Sequence, residues 1–332
     1  MVNGRHLRFL AWLFLLGFVS TAFVIYVLWK GPATGRFTGA REFQSGENRC
    51  LRLFNPWIQT GNRHEFERTA KDSQDTNASH FLSESTTGNF DGYRCILENR
   101  TLSMKCDTCA LVSSSGQICG QNKGSEIDRT DCVFRMNAAP VKGFEMDVGQ
   151  KTSARIVAFN AFGLSLKAWN QGMKFIVWTN NRPQDIKHVV LYAKSNKNRD
   201  ICMSTKEYIQ RMDKLFEEET NHSRYASHTW LSTGWFAFDL LRHMCSSTRI
   251  YGMIPPDFCK KKNQPRGPYH YWDKTGDECD VYLSNEKSAT GSHRFLSEKI
   301  IFARWAVASN MSFHTPEWDP KDYTNTRVTQ FV

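Results

Sequence analysis

The longest apolar stretch of the chain lies close to its N-terminus. Residues 9–29 contain no charged side chain over 21 positions, and a helix of that length spans roughly 30 Å, the thickness of a bilayer's hydrocarbon core. A cleaved signal peptide has a shorter apolar region that ends at small residues, whereas this run continues through bulky side chains up to Trp29. We therefore predict a transmembrane signal anchor, with residues 1–8 cytoplasmic and everything after Lys30 lumenal.

The next segment, residues 30–90, shows no sustained hydrophobic period. It is polar and rich in Gly, Ser, Thr, Asn and Arg, a composition typical of a tether rather than of a packed core. One apolar stretch, NRCLRLFNPWI, interrupts it and carries Cys50, through which it would dock onto the following domain. We predict a stem over residues 30–90 and a folded lumenal domain over residues 91–332.

Beyond residue 90, short β-rich runs alternate with helical stretches. We predict strands within CALVSSSG, CVFRMN, ARIVAFN, KFIVWTN, HVVLYAK and TRIYGMI. We predict helices within TKEYIQRMDKLFEEET, TGWFAFDLLRHMC and HRFLSEKIIFARWAVAS. Alternating strands and helices indicate an α/β domain with a mostly parallel central sheet. Ligands of such sheets bind outside the carboxyl ends of the strands, where Gly- and Ser-rich turns such as SSSG fall.

The composition changes this picture little. An aromatic content of 13% excludes wholesale disorder. The net charge of +10 suits an anionic partner, but the Lys and Arg residues are scattered and form no dense basic block. We therefore expect a solvated basic surface and no nucleic-acid partner.

The cysteines agree with a lumenal domain. The chain has 10 of them, which is natural in an oxidising compartment and a burden in a reducing cytosol. Cys106 and Cys109 form a CDTC motif that fits a redox pair or half of a zinc site. No second closely spaced pair exists, and many other cysteines compete as partners, so structural disulfides are the better interpretation. Glycosylation sequons, each common by chance, occur at Asn77, Asn99, Asn221 and Asn310.

One helix entrance combines small hydroxyl residues with a glycine. Ser232, Thr233 and Gly234 directly precede the apolar run of TGWFAFDLLRHMC. Ser and Thr are good N-caps, and most such caps only stabilise a helix. A helix N-terminus with an unhindered backbone also binds phosphate or carboxylate. The local sequence favours capping and leaves anion binding open.

Two histidines are candidates for acid–base chemistry. His293 follows Ser292, which we expect to be the N-cap of the last helix; the positive helix end would keep the ring neutral and able to accept a proton. His270 lies between Tyr269 and Tyr271, and such a cluster offers hydrogen-bond donors to an oxyanion. Most histidines at helix starts or among aromatic residues are packing or surface residues.

Motifs for common cofactors are absent from the sequence. It contains no GxGxxG fingerprint, P-loop or HExxH. Strict Asp-x-Asp, the kind of carboxylate pair with which sugar-nucleotide enzymes hold a divalent metal, is also missing, although Glu145-x-Asp147 and Glu278-x-Asp280 exist. The absence of Asp-x-Asp mildly disfavours a metal-dependent enzyme, and we expect no cofactor.

Four motifs in order resemble those of the animal sialyltransferase family. Residues 106–149 are similar to its large sialylmotif, and STGWFAFDLLRHMCSSTRIYGM to its small one. PYHYW resembles the third motif, and His293 with Glu298 matches the very small motif, His-x4-Glu. The segments SEIDRTDCVFRMNAAP, LSTGWF, YGMIPPDFC and HRFLSEK look closest to the α2,6-sialyltransferases that act on N-acetylgalactosamine (GalNAc) in sialylated O-glycans or gangliosides.

The resemblance implies a GT-A-like variant of the Rossmann fold. It also implies CMP-N-acetylneuraminic acid (CMP-Neu5Ac) as donor, inversion at the anomeric carbon and no metal. With the predicted anchor it implies a single-pass type II Golgi membrane protein whose catalytic domain is lumenal. A sialyltransferase making an α2,3 or α2,8 linkage is the nearest alternative, and a membrane-anchored sugar-binding protein without turnover is a more distant one.

Carried over residue by residue, the resemblance assigns roles within the site. His293 would deprotonate the 6-hydroxyl of the acceptor, and His270 would stabilise the departing CMP phosphate. The donor would contact Ser115, Gly116, Gln117, Asn137, Ser232, Thr233, Gly234, Tyr269 and Glu298. The family pattern also implies a disulfide between Cys109 and Cys245. We further expect one between Cys259 and Cys279, because a bridge there would brace the loop that presents His270. Further cysteines without a counterpart in the family leave the full connectivity open: Cys50, Cys95, Cys119 and Cys202.

Overall fold

A computed structural model describes residues 89–273, 276–289 and 291–328. Within these ranges, no helix is both long enough and apolar enough to cross a membrane. The predicted anchor at residues 9–29, the stem up to residue 88 and the sequon at Asn77 lie outside the described residues. The first strand begins at Asn89, beside the predicted start of the folded domain at residue 91.

A mostly parallel sheet forms the centre of the described domain. Its strand order is β2-β1-β7-β6-β5-β4-β3-β8-β9. All neighbouring pairs are parallel except β1–β2 and β1–β7. The predicted α/β class with a parallel sheet is confirmed. The strands are β1 (Asn89–Cys95), β2 (Arg100–Ser103), β3 (Cys106–Val112), β4 (Cys132–Met136), β5 (Ala154–Ala158), β6 (Lys174–Trp178), β7 (Asp200–Ser204), β8 (Cys245–Tyr251) and β9 (Met311–His314).

Helices connect the strands and cover both faces of the sheet. They are α1 (Gly124–Asp128), α2 (Glu145–Val148), α3 (Phe162–Ser165), α4 (Pro183–Ser195), α5 (Lys206–Thr220), α6 (Thr233–Met244), α7 (Glu278–Glu286) and α8 (Phe295–Ala308). Short 3₁₀ turns occur at Gly116–Ile118, Phe159–Ala161, Leu166–Ala168, Phe258–Lys260 and Pro320–Tyr323. Side chains of β3 alternate between two apolar clusters, with Leu111 in one and Ala110 and Val112 in the other. Burial on both sides is typical of parallel sheets.

Helix α6 is buried along most of its length. It packs against β4, β5, β8 and α8. A helix that is apolar on all sides belongs in a core rather than at a surface. Its position brings its first turn to the carboxyl end of the central strands, so the predicted helix TGWFAFDLLRHMC is confirmed where a ligand site is expected.

The predicted strand HVVLYAK is wrong, because this segment lies within helix α4. Pro183 occupies the first turn of the helix, where its missing N–H costs nothing. Val189 and Ala193 are spaced four residues apart and are buried against the sheet, a helical pattern. The β-branched residues suggested a strand, but β propensity is weaker than such periodic burial. Strands β1, β2, β7 and β9 and helices α1, α2, α3 and α7 were not predicted from the sequence.

Disulfides join distant parts of the domain. Described cysteines pair as Cys95–Cys202, Cys106–Cys132, Cys109–Cys245 and Cys259–Cys279. The last two are the pairs that the sequence analysis predicts, and the first accounts for Cys95 and Cys202, which had no counterpart in the family. Cys119 is also disulfide-bonded. Because Cys106 and Cys109 have different partners, the CDTC motif is structural and is neither a dithiol nor a zinc site.

Candidate active site

A cleft opens at the carboxyl ends of β3, β4 and β8, where helices α6 and α8 begin. Most of the predicted site residues meet there. Those that line the cleft are Ser115, Asn137, Ser232, Thr233, Gly234, Tyr269, His293 and Glu298. Gly116 and Gln117 adjoin Ser115 along the chain, and His270 adjoins Tyr269, but these three do not line it.

Ser232 is the N-cap of α6, as the sequence suggests. Its backbone is extended, and its Oγ accepts a hydrogen bond from the Trp235 N–H at 3.2 Å. The Glu298 carboxylate accepts from the Ser232 N–H at 2.9 Å and also from its hydroxyl. Ser232 is thus engaged within the protein. The N–H groups of Thr233 and Gly234, in the first turn, have no carbonyl within the helix to bond, so they can donate to an anion.

Glu298 lies in the first turn of α8, inside the protein. Burial is the main cause that raises its pKa to about 7, while the two bonds from Ser232 oppose the rise. Near neutral pH the Glu298 carboxyl can therefore be either protonated or ionised. The hydrogen bonds from Ser232 to Glu298 link the small motif directly to the very small motif.

Asn137 connects the large motif to the entrance of α6. It lies directly after β4 with a φ of 47°, a left-handed conformation that Asn tolerates better than most residues. Its Oδ1 accepts from the Ala158 N–H at 3.0 Å, and its Nδ2 lies 3.4 Å from the Thr233 Oγ1. The buried Arg155 donates to the Asn137 carbonyl at 2.9 Å. These bonds fix an amide at the edge of the cleft.

The turn after β3 packs against the loop that carries the third motif. The Ser115 Oγ accepts from the Gln117 N–H at 3.1 Å, and the Gly116 N–H donates to the Pro268 carbonyl at 2.9 Å. A Cβ on Gly116 would lie 2.4 Å from the Pro268 ring, so only glycine allows this approach. The large motif therefore positions the loop PYHYW.

His270 is oriented by a carboxylate and a stacked indole. Its Nδ1 lies 2.9 Å from the Asp273 Oδ2. Its ring is stacked on Trp272, with centroids 4.3 Å apart and 9° between the planes. The Tyr271 N–H donates to the Ser114 carbonyl at 2.9 Å, which ties the loop to the sheet edge. These contacts fix the orientation of the imidazole ring.

His293 has the geometry of a general base. Its Nδ1 lies 2.7 Å from the backbone carbonyl of Trp230. Because a carbonyl only accepts, Nδ1 must carry the proton, and Nε2 is left with a free lone pair in the neutral ring. Burial lowers the pKa of His293 below 6.5, and the bond to Trp230 opposes this. The neutral ring is thus the main form at neutral pH.

The predicted cap of the last helix is wrong. Helix α8 begins at Phe295 with Arg294 as its N-cap, and the Arg294 side chain makes no capping bond. The Glu286 carboxylate accepts from the Leu296 N–H in the first turn at 2.9 Å. Ser292 instead donates its hydroxyl to the Asn285 carbonyl at 2.8 Å. His293 therefore lies outside the helix, and burial replaces the helix N-terminus as the cause of its low pKa.

Sequence reasoning missed a group of buried charges beside the cleft. Lys299 lines the cleft with only 3% of its surface exposed, and its Nζ lies 4.0 Å from the centre of the Tyr282 ring. Burial lowers the pKa of Lys299 to about 8 and raises that of the neighbouring Glu278 to about 7. The adjacent charges of Glu298 and Lys299 within the apolar run FLSEKIIFARWAVA were the available signal.

The two Glu-x-Asp pairs, whose spacing could suit a metal, make other contacts. Glu278 is buried near Lys299, whereas Asp280 is exposed and pairs with Arg266 at 2.8 Å. Asp147 accepts from the Asn122 N–H at 2.9 Å. The one group of ligand-type side chains in the described ranges contains Cys95 and Cys202, which form a disulfide.

A cleft at the carboxyl edge of a parallel sheet, with a helix N-terminus and a poised histidine, is typical of α/β enzymes that act on anionic substrates. The chain belongs to glycosyltransferase family 29, the sialyltransferases, whose family model matches residues 76–306. The resemblance seen in the sialylmotifs is thereby confirmed.

Two human relatives of the chain are named as alpha-2,6-sialyltransferases. The chain is 38% identical over 241 residues to human alpha-N-acetylgalactosaminide alpha-2,6-sialyltransferase 3, covering 68% of this chain and 79% of the relative. It is 35% identical over 244 residues to human alpha-N-acetyl-neuraminyl-2,3-beta-galactosyl-1,3-N-acetyl-galactosaminide alpha-2,6-sialyltransferase, covering 69% and 81%. A crystal structure of a mammalian sialyltransferase matches 63% of this chain and 68% of its own, with 21% identity and a TM-score of 0.42.

Proposed function

We propose that this protein transfers N-acetylneuraminic acid from CMP-Neu5Ac to the 6-hydroxyl of GalNAc in sialylated O-glycans or gangliosides. The family membership and the names of the relatives at 35% and 38% identity support this acceptor and linkage. The observation that carries the chemistry is the hydrogen bond from His293 Nδ1 to the Trp230 carbonyl, which leaves Nε2 ready to accept a proton.

The transfer is an inverting displacement at the anomeric carbon of the donor. The acceptor O6 forms a bond to that carbon as the bond from the carbon to the phosphate oxygen breaks. The O6 proton passes to Nε2 of His293, and the electron pair of the broken bond leaves with CMP. The hydroxyl is too weak an acid to ionise alone, so a positioned base accelerates the step.

Donor recognition falls to the polar groups of the cleft. The backbone N–H groups of Thr233 and Gly234 suit the anionic part of the donor, and Asn137 and Ser115 offer side-chain hydrogen bonds beside them. His270, which Asp273 orients, would stabilise the negative charge of the departing phosphate in place of a metal. The chemistry of the carboxylates supports this assignment, because Glu278 is buried and Asp280 pairs with Arg266.

The same proposal covers the architecture and the location. We propose a GT-A-like variant of the Rossmann fold, held by a transmembrane signal anchor and a stem in the Golgi membrane with the catalytic domain in the lumen. The disulfides between described cysteines support an oxidising compartment. The sequons at Asn99, Asn221 and Asn310 are exposed, as glycosylation requires.

The test is a transfer reaction with CMP-Neu5Ac and a panel of O-glycans and gangliosides, followed by linkage analysis of the products. We expect α2,6-linked sialic acid on GalNAc. An α2,3 or α2,8 product would replace the linkage while keeping the enzyme class. Binding of sugars with neither transfer nor hydrolysis of the donor would identify a sugar-binding protein instead.

A further inference from the structure

A large aromatic side chain lies exposed next to the proposed base. Trp230 precedes the N-cap of α6 by two residues, and 58% of its surface is exposed. An exposed indole keeps a large apolar surface in water, and two residues before a segment that lines the cleft, this surface suits a ligand with an apolar face. The Trp230 backbone carbonyl is bonded to His293, which lines the cleft.

The backbone holds Trp230 in a fixed relation to His293. The Trp230 N–H donates to the Ser292 carbonyl at 3.0 Å, and the Ser292 N–H donates to the His228 carbonyl at 3.3 Å. The Trp230 carbonyl in turn accepts the proton of His293 Nδ1 at 2.7 Å. The indole and the catalytic imidazole therefore project from two segments that are hydrogen-bonded to each other.

A glycine backs the indole ring. A Cβ on Gly291 would lie 2.8 Å from the Trp230 Nε1, closer than real Cβ contacts, and 3.1 Å from its Cε2, which is also tight. The missing side chain lets the ring lie against the main chain. The ring is supported in place while more than half of its surface stays open to solvent.

The neighbouring exposed aromatic residue has a different environment. Tyr225 donates its hydroxyl to the Asp213 Oδ2 at 2.9 Å, and the Arg224 guanidinium lies 4.4 Å from the centre of its ring. Tyr225 is thus occupied by contacts with Asp213 of α5 and with the adjacent Arg224. Trp230 is the better candidate for a ligand contact.

We propose that the Trp230 indole is the platform on which the acceptor sugar stacks, and that it selects a hexose of galacto configuration. The axial 4-hydroxyl of such a hexose leaves the C–H bonds at C3, C4 and C5 together on one face, which forms an apolar patch. Indole rings pack well against such patches. The 6-hydroxyl projects from the rim of that face, on the side where His293 would take its proton. This inference rests on the proposed function.

The test compares Trp230→Ala, Trp230→Phe and Gly291→Ala with the wild type, all as full-length protein in detergent. Kinetic constants are measured for a GalNAc-containing acceptor and for CMP-Neu5Ac, together with hydrolysis of the donor in the absence of acceptor. Leu191→Ala is the matched control, because Leu191 is 54% exposed on α4 at a distance from the cleft in the sheet order.

Trp230→Ala should raise the acceptor KM about 10-fold, the scale of one aromatic stacking contact. The donor KM and the hydrolysis rate should stay at wild-type values, because the backbone bond to His293 remains. Trp230→Phe should recover most of the acceptor affinity, and Gly291→Ala, which displaces the ring, should give an intermediate KM. Leu191→Ala should match the wild type.

An acceptor KM that Trp230→Ala leaves unchanged would overturn the inference while wild-type transfer still supports the proposed function. Equal losses of transfer and donor hydrolysis would show that the ring only supports His293, which also overturns it. If the wild type hydrolyses the donor but transfers to no GalNAc acceptor, the proposed function fails first, and this inference fails with it.

Discussion

At the scale of single residues, burial moves the pKa values in and around the cleft more than any neighbouring charge does. It lowers the pKa of His293 and of Lys299 and raises those of Glu278 and Glu298. Each shift favours the neutral form of the side chain. The cleft can therefore change its net charge near neutral pH, which matters for a donor that carries a phosphate and a carboxylate.

Replacement of His293 should separate catalysis from donor binding. His293→Ala should lower the transfer rate by about 10²–10⁴-fold, the usual contribution of a general base. Affinity for CMP should stay near the wild-type value, because the ring acts on the acceptor hydroxyl. The wild-type rate should fall on the acid side, below pH 6.5, as the lowered pKa of His293 is reached. Rate profiles and CMP titrations measure both effects.

His270→Ala is the informative comparison for this variant. Because His270 is assigned to the phosphate, both CMP affinity and turnover should decrease. A weaker donor affinity with unchanged transfer at saturation in His293→Ala would show that His293 binds rather than catalyses. Glu298 would then be the next candidate for the base.

Glu278→Gln should make stability less dependent on pH. Burial raises the pKa of Glu278 from 4.5 to about 7, so the folded state keeps a proton that the unfolded chain releases above 4.5. Between these values the free energy of unfolding falls as pH rises, and above about 7 this contribution stops changing. Glutamine exchanges no proton, so the variant should lose this part of the decline, as measured by urea unfolding at pH values across the window.

Glu217→Gln, on the exposed side of α5, is the matched control and should keep the wild-type pH dependence. Lys299, Tyr269 and Tyr282 also face the Glu278 carboxyl, and they are unchanged in both variants. An identical slope for Glu278→Gln and the wild type between pH 4.5 and 7 would show that Glu278 is not protonated in the folded state.

At the scale of elements, the sequence correctly predicted those helices and strands whose local hydrophobic pattern is strong. Helix α6 was predictable because its cap and its apolar run are contiguous in the sequence. Strands β3 to β6 and β8 stood out as short β-rich runs. Helix α4 was mistaken for a strand because its buried face is narrow and it carries β-branched residues. Strands β1 and β2 were missed because they are rich in polar residues and poor in β-branched ones.

The candidate site was likewise predictable only in part. Its ordered motifs pointed to the residues around His293 and Ser232, which do share one cleft. The bond from His293 to the Trp230 carbonyl joins positions 63 residues apart, and no local pattern encodes it. The burial of Glu278 and Lys299 likewise depends on how α7 and α8 pack against each other.

The two expected disulfides should differ in their contributions to stability. Cys109–Cys245 links β3 to β8 across 136 residues, whereas Cys259–Cys279 closes only 20 residues. The loop-entropy relation gives about 5 kcal/mol for the long closure and about 3 kcal/mol for the short one, as upper figures. Paired Cys→Ala variants of each bridge, compared by chemical denaturation, measure the difference.

The longer bridge also ties together the two sides of the donor cleft, so its loss should weaken CMP binding as well. The shorter bridge serves as the control for a missing disulfide of any kind. Equal stability losses for the two pairs of variants would contradict the loop-entropy account. A free thiol at Cys109 in active enzyme would contradict the pairing itself.

At the scale of the whole molecule, the predicted anchor is testable without any knowledge of the site. If residues 9–29 span a membrane, the intact protein should resist carbonate extraction. A form beginning near residue 40 and given a cleavable signal should be secreted as soluble, active enzyme. Protease protection in sealed vesicles measures the orientation: access to the domain from the cytosolic side would reverse the predicted topology and remove the basis for a Golgi location.

The bond between His293 and residue 230 uses a main-chain carbonyl, and every amino acid supplies that group. Replacing the side chain at this position therefore leaves the anchor of the base intact. Acceptor preference and proton abstraction become separable traits, although they meet at a single residue. Libraries randomised at position 230 should accordingly yield enzymes with an altered acceptor preference and an unchanged rate of proton abstraction. Changes to a single codon could thus extend the enzyme to new acceptor glycans.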